Sequence, residues 1–381
     1  MRICIDVSPA VHGRAGLGRY AQELTNALLA LDRENEYIAF YNRPSRARPA
    51  PPLDRLPRLT TPLPNKPWRM SVLLAQLAGL PQDHLLPGVD IFHAADHLLP
   101  HLHRVKSVFT LYDVAFRLYP ETHTIWNRSF LTLMIPRFLQ AADRVIAISE
   151  CTKRDAVRLY GIAPEKMQVI YIGVSEHFAP APAPAIDEVR RRYGLPANYL
   201  LYVGTMEPRK NLAVLLEAYQ ALRERGYAGR LVFAGKKGWL YQDFFRRLKG
   251  LGLENEVIFL GFVADGDLPA LYSGAELFIY PSLYEGFGLP VLEALACGAP
   301  VVCSNAASLP EVAGEAAVLI SPHDVRALTA GMEQVLMNDE LRRALRAQGP
   351  ERARRFTWQA TARQTLEMYR SLASNERFCP T

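Results

Sequence analysis

The chain has 381 residues, 49% of them hydrophobic and 22% charged, with a formal net charge of +6, which fits a soluble globular protein of two domains and is too long for one ordinary domain. Its five scattered cysteines, Cys4, Cys151, Cys297, Cys303 and Cys379, contain no CxxC pair and no metal spacing, which argues against a disulfide framework and for a reducing, cytoplasmic compartment. The apolar run after Arg2 is too short for an export signal, and no later run approaches the roughly 20 apolar residues of a membrane span.

Short Val/Ile/Tyr-rich runs alternate with helix-length amphipathic runs throughout, the pattern of parallel sheets covered on both faces, so the expected class is α/β with two doubly wound Rossmann-like domains. In the first half, strands are expected at residues 2–7, 37–41, 91–93, 107–110, 144–148 and 168–172, with helices between them. Gly13-Arg14-Ala15-Gly16-Leu17-Gly18 follows the first strand and opens a helix. Taken alone, it fits a dinucleotide site as well as any other phosphate loop. A nicotinamide site, however, wants an acid at the end of the second strand, and Phe40-Tyr41-Asn42-Arg43 offers none, which leaves an NAD(P)-dependent enzyme as a distant alternative.

Next comes a basic, proline-rich segment in which Arg43, Arg46, Arg48, Arg55, Arg58, Lys66 and Arg69 face only Asp54. With Trp68 and the apolar stretch to Leu80, residues 43–80 could dock on an anionic membrane at its inner face or on a phosphorylated acceptor; a solvated loop is the other reading. Ser149 is placed to cap the helix beginning near Glu150. The tract Ala179-Pro180-Ala181-Pro182-Ala183-Pro184-Ala185 favours extended backbone and marks a linker over 179–196, between a first domain at 1–178 and a second at 197–356. In the second domain strands are expected at 199–204, 231–235, 257–260, 277–280, 300–303 and 317–320, and a C-terminal helix at about 357–381 is expected to pack back on the first domain.

The most specific stretch runs from Tyr280 to Glu293. A strand ends at Tyr280, a glycine-containing loop turns, and Pro290 opens a helix that should end at Gly298. Loop amides and a helix N-terminus can cradle a phosphate or a sugar hydroxyl, and Glu285 with Glu293, expected in the first helical turn, can accept from sugar hydroxyls. Alone, Glu293 would read as a helix-dipole residue and Glu285 as a solvated loop acid. The whole string resembles the Glu-x7-Glu motif of the retaining glycosyltransferases of the group 1 or family 4 type, which have the two-domain GT-B fold with a cleft between the domains. The resemblance implies that Glu285 and the backbone at Gly286, Phe287, Gly288 and Leu289 contact the donor sugar, and that Glu293 holds the ribose.

By the same resemblance, Arg209 and Lys210 in Gly204-Thr205-Met206-Glu207-Pro208-Arg209-Lys210-Asn211 neutralise the donor diphosphate. The physics agrees: a departing diphosphate gains charge, and fixed cations are worth more in the transition state than before it. Gly204, Gly16, Lys236 and Val263 are further implied donor contacts, with Lys236 readable equally as a loop lysine. At Thr110-Leu111-Tyr112-Asp113 many relatives carry His-Asp, so Tyr112 departs from the pattern while Asp113 is retained to orient the reacting sugar. His93, Asp96 and His97 lie at a neighbouring strand end, where His93 could substitute for the missing imidazole or be structural. Asp265-Gly266-Asp267 matches a metal-binding DxD, but Asp267 reads as a helix cap and the family generally works without metal, so no cofactor or metal is expected.

The resemblance thus implies transfer of a hexose from a nucleoside-diphosphate sugar to a hydroxyl of a glycan or lipid-linked acceptor, with the leaving phosphate taking the acceptor proton on the same face. Gly235-Lys236-Lys237-Gly238-Trp239 and Tyr112-Asp113 resemble mannosyltransferase-like members, which makes GDP-mannose the first donor guess; no nucleic-acid partner is expected. The principal alternative is a protein that keeps the fold and binds nucleotide or carbohydrate without turnover.

Overall fold

The computed structural model describes residues 1–42 and 49–374. Its β-branched and aromatic runs become two parallel sheets. The first holds β1 (Arg2–Asp6), β2 (Glu36–Asn42), β3 (Arg58–Thr61), β4 (Ile91–Ala94), β5 (Lys106–Leu111), β6 (Arg144–Ala147) and β7 (Met167–Val169), in the order β3-β2-β1-β4-β5-β6-β7. The second holds β8 (Tyr199–Val203), β9 (Arg230–Ala234), β10 (Val257–Gly261), β11 (Leu277–Tyr280), β12 (Val301–Ser304) and β13 (Val318–Ile320), in the order β10-β9-β8-β11-β12-β13. In each sheet the first strand is central and the order reverses beside it, between β1 and β4 and between β8 and β11, where doubly wound sheets gather ligands at the strands' carboxyl ends. Both faces are covered by helices, so β4, β11 and β12 are buried along their whole length, which is why their sequences lack polar alternation.

Eleven of these strands coincide, to within a residue or two at their ends, with those read from the sequence; β7 stops at Val169, three residues short of the expected 168–172, and β3 has no counterpart among the expected strands. It is an edge strand, Arg58-Leu59-Thr60-Thr61, inside the basic proline-rich stretch, where exposed charged residues hide the apolar signal. Ser149 caps its helix as expected, its Oγ accepting from the Thr152 amide at 3.0 Å. The Pro/Ala tract departs from expectation. Rather than an extended linker over 179–196, it turns into a helix at Ala183–Tyr193, with Pro184 in the first turn where its missing N–H costs nothing.

The chain divides into two compact units that are not continuous in sequence. Unit 1 comprises Met1–Val114, Ile125–Gly173 and the chain from Thr357 onward; unit 2 comprises Ala115–Thr124 and Val174–Phe356. The C-terminal helix Trp358–Ala373 therefore belongs with the first sheet, packed on the helix Ala15–Leu31. The stretch 115–124, read from sequence as part of a continuous 1–178, belongs with the second sheet. There Tyr119 meets the ring of Tyr284 at 5.9 Å and the Thr122 carbonyl accepts from Trp239 Nε1 at 2.7 Å. Among the described residues Cys4, Cys151, Cys297 and Cys303 are buried and form no disulfide, and no described helix is long and apolar enough to cross a membrane.

Candidate active site

At the carboxyl ends of β8 and β11 two loops are clasped together. The Leu283 amide donates to the Arg209 carbonyl at 2.9 Å, and Asn211, in left-handed backbone at φ 57°, donates from Nδ2 to the carbonyls of Pro281 and Pro322. Asn tolerates that conformation better than any other residue except glycine, and here its amide is spent on the neighbouring loops rather than on capping the helix Leu212–Glu224.

The clasp delivers four charges to one place. Arg209 Nη1 donates to Glu285 Oε2 at 2.8 Å and to the Tyr284 carbonyl at 2.6 Å, while its Nη2 donates to Glu207 Oε1 at 2.7 Å. Lys210 Nζ donates to Glu285 Oε1 at 2.7 Å and to the Tyr280 hydroxyl at 2.8 Å. Glu207, Lys210 and Glu285 are all buried. Burial by itself would raise the Glu285 carboxyl, but Arg209 and Lys210 overcome it and hold the group down at about 2, so it is ionised at any physiological pH. Two cations against two carboxylates make a neutral quartet, and a diphosphate entering here would compete with Glu285 and Glu207 for donors already aimed and desolvated.

The loop that carries Glu285 is fixed from β12. Ser304 Oγ donates to the Ser282 carbonyl at 2.6 Å, and Ser308 Oγ lies 2.9 Å from the carbonyl oxygens of both Glu285 and Phe287. Gly286, Phe287 and Gly288 are buried, Phe287 packing edge-on against Phe356, and Gly288 takes φ 102° immediately before the helix Leu289–Ala296. Any Cβ at 288 would lie 2.5 Å from Leu309 Cδ2, so both backbone and space demand glycine. The glycines after β8 and β9 touch each other: Gly204 takes φ 152°, Gly235 takes φ 141°, and a Cβ on Gly235 would collide with the Gly204 carbonyl.

Other expected site residues are placed differently. Glu293 is the fifth residue of its helix, not in the first turn, and is buried with Oε2 accepting from the Tyr272 hydroxyl at 2.9 Å. Lys236 is exposed, 5.1 Å over the ring of Phe262, and Val263 is buried beyond the bend at Gly261. Asp267 does not cap the helix it precedes: its carboxylate accepts from Arg192 at 2.6 Å and from the Tyr193 hydroxyl at 2.8 Å, while Asp265 pairs with His177. Among the described residues no group of three or more His, Cys, Asp or Glu is arranged to hold a metal ion.

In unit 1, Gly16 is exposed in the first turn of its helix, while Arg14 just before it reaches back to Asp96 with two contacts of 2.7 and 2.9 Å. His93 is a core residue: wholly buried, it meets the Tyr369 hydroxyl at 2.6 Å through Nδ1 and Thr110 Oγ1 at 2.7 Å through Nε2, and burial pushes it down to about 3. It is neutral and committed on both nitrogens. Tyr112 is equally committed, donating to the Ala95 carbonyl at 2.8 Å. Asp113 is half-buried and near enough to His97 to oppose the effect of burial on that imidazole. At the end of β2, Asn42 contacts His12 and Asn65, an amide where a nicotinamide ribose would need an acid.

Sequence reasoning passed over Glu207, Tyr280, Ser304 and Ser308 as site residues. Glu207 and Tyr280 stood inside stretches already singled out, yet only tertiary contact shows that they complete the coordination of Arg209 and Lys210. Ser304 ends β12 and Ser308 lies in the loop after it, with only a loop-like composition beyond the strand as signal.

Comparison with known proteins gives the arrangement its family. The profile described as "Glycosyl transferases group 1" matches residues 186–352, and "Glycosyltransferase Family 4" matches residues 14–178. The chain is 32% identical over 389 residues to O-antigen chain mannosyltransferase B of Escherichia coli, covering 98% of this chain and all of that protein. It is 34% identical over 244 residues to the serotype-specific mannosyltransferase WbdA of Escherichia coli, covering 62% of this chain and 30% of that much longer protein. Among solved structures, sucrose-phosphate synthase of Thermosynechococcus elongatus aligns over 99% of this chain and 100% of its own with a TM-score of 0.78 at 22% identity. HepE of Anabaena, solved with UDP-glucose, aligns over 97% of this chain and 100% of its own with a TM-score of 0.75 at 20% identity, so the fold is GT-B. The chain belongs to the group 1, family 4 glycosyltransferases and is a glycosyltransferase of that GT-B class.

Proposed function

We propose that the protein transfers a hexose, mannose in the first instance, from a nucleoside-diphosphate sugar such as GDP-mannose to a hydroxyl of a glycan or lipid-linked acceptor, with retention at the anomeric carbon. The observation that carries this reading is the quartet of Glu207, Arg209, Lys210 and Glu285. Breaking the sugar–phosphate bond builds negative charge on the departing diphosphate, and two cations locked in place before the donor arrives stabilise that charge without reorganising. As the diphosphate takes over Arg209 and Lys210, the Glu285 carboxylate is released to accept from the donor sugar's hydroxyls. Glu293 and the backbone from Gly286 to Leu289 hold the rest of the donor, and Asp113 orients the reacting sugar. The leaving phosphate takes the acceptor's proton, so no side chain has to act as base, and no metal is required. The mannose assignment is supported by the mannosyltransferase names of the relatives described above. By this reading the enzyme works in the cytoplasm, at the inner face of the membrane where a lipid-linked acceptor is met.

The test is release of nucleoside diphosphate from a panel of GDP-, UDP- and ADP-sugars, with a chelator present, followed by assignment of the product's anomeric configuration by NMR. Consumption of GDP-mannose, loss with Lys210→Ala and an α-linked product support the proposal; an inverted product removes the retaining step. A second reading, binding without turnover, is favoured by one observation: Tyr112, where the family resemblance implies an imidazole, is spent on the Ala95 carbonyl, and His93 is locked in the core. Nucleotide binding with no donor consumed in the presence of lipid-linked glycan acceptors would favour it.

A further inference from the structure

The helix Asn65–Ala78 buries Trp68, Val72 and Ala75 and turns a different face outward. Met70, Leu74 and Leu77 on that face, with Leu80 just past the left-handed Gly79, are each between 50% and 60% exposed, at the i, i+4, i+7 spacing of one helical stripe. An open groove of about 540 Å³ runs along it, lined by Pro67, Met70, Leu74, Leu80 and Pro81 among others. The helix Ile125–Ala141 is joined to this one by Arg69, which donates to Asn127 Oδ1 at 3.2 Å and lies 3.6 Å over the Phe130 ring. That second helix opens with Ile125 and Trp126, the latter 89% exposed. Large side chains held in water in this number mark an interaction surface rather than ordinary surface composition.

Charge decides the partner. Arg55 and Arg58, on the chain leading into the helix, and Lys66, in its first turn, are exposed cations. Between residues 53 and 84 the acids are Asp54 and Asp83, and Asp83 is spent on the backbone amides of His103, Arg104 and Val105. A second copy meeting this face across a two-fold axis would set these cations against their own duplicates. An anionic bilayer satisfies both features at once: apolar side chains enter the boundary between headgroups and acyl chains, tryptophan suits the headgroup level, and cations meet lipid phosphates. We propose that this face docks the protein on an anionic lipid bilayer, with Met70, Leu74, Leu77 and Leu80 inserted and Arg55, Arg58 and Lys66 on the phosphates. The proposal goes beyond the donor chemistry above and stands on unit 1 alone.

The experiment is co-sedimentation of the full chain with vesicles of phosphatidylcholine alone or mixed with phosphatidylglycerol, at low and high salt, using wild type, Leu74→Glu/Leu77→Glu and Lys66→Glu. Circular dichroism checks that each variant is folded, and nucleoside diphosphate release from a soluble donor checks unit 2 separately. Expected are binding to the anionic vesicles, a partition coefficient at least about ten-fold lower for Leu74→Glu/Leu77→Glu, and a smaller loss with weakened salt dependence for Lys66→Glu. Partitioning of the folded Leu74→Glu/Leu77→Glu variant equal to wild type would overturn the proposal. So would a wild type that ignores anionic vesicles, including one that is dimeric in solution and made monomeric by that double substitution. A failure of donor turnover with vesicle binding intact would count against the donor reading alone.

Discussion

At the scale of single residues, the quartet shows how little freedom the charges have. Replacing Lys210 by alanine removes one of two cations on Glu285 and the donor to the Tyr280 hydroxyl. If the quartet stabilises the departing diphosphate, donor turnover should fall by about 10² to 10³-fold in kcat, measured by nucleoside diphosphate release at saturating donor. A change confined to KM would mean that Lys210 binds donor and transition state equally. A second titrating group lies in unit 1. Asp6 is buried near Asp96, and desolvation with the neighbouring charge raises it from the ordinary carboxyl range to about 7. The native state then binds more protons than the unfolded chain, so its contribution to stability is complete below the ordinary carboxyl value and is lost as pH rises through about 7. Between about pH 5 and about pH 8, wild type should therefore lose on the order of 2 kcal/mol relative to Asp6→Asn in denaturant titrations; a constant difference would show Asp6 ionised throughout. Arg209, Lys210 and Glu285 were legible in the sequence because residue type and motif spacing announce them. Glu207 and Asp6 were not, because nothing local says which acid will be carried into contact with which charge.

At the scale of elements, strands were read reliably wherever both faces are buried, since a continuous apolar run needs no alternation to be recognised. The signal failed where exposure changes the composition, as at β3, and where a local preference met a tertiary one, as in the Pro/Ala tract. There proline's tolerance in the first helical turn, together with burial of Val189 and packing on the helix Leu268–Ser273, turns an expected linker into a helix. Glycine in the motif loop is an element-scale requirement too. Gly288→Ala would put a side chain at φ 102° and against Leu309, so it should destabilise by more than about 1 kcal/mol and weaken donor binding by shifting Glu285 and Phe287. Thermal unfolding and a donor KM measured on the same variant check both halves. Gly16→Ala is the contrast: its Cβ would meet open space, so stability should be unchanged within about 0.5 kcal/mol.

At the scale of the whole molecule, the first sheet is completed by the end of the chain. The C-terminal helix buries Trp358, Leu366, Met368, Tyr369 and Leu372 in unit 1, and its Tyr369 hydroxyl meets His93 in β4 from 276 residues away in sequence. Gly173 is packed so closely on Thr357 and Trp358 that a Cβ there would strike their backbone. Each of the larger buried side chains is worth about 1.5–3 kcal/mol, and a domain's whole stability is only about 5–15 kcal/mol. Ending the chain at Phe356 should therefore unfold unit 1 while leaving unit 2, whose segments lie in 115–124 and 174–356, able to form its sheet and its quartet. Hydrogen exchange resolved by peptide should then show β1, β4 and β5 losing protection and β8, β11 and β12 keeping it. The milder Tyr369→Phe should cost about 1–3 kcal/mol by leaving one His93 nitrogen unpaired in the core. Protection of β1 and β4 unchanged in the truncated chain would mean that the first sheet closes its core without the C-terminal helix, and that the contact with His93 follows folding rather than holding it.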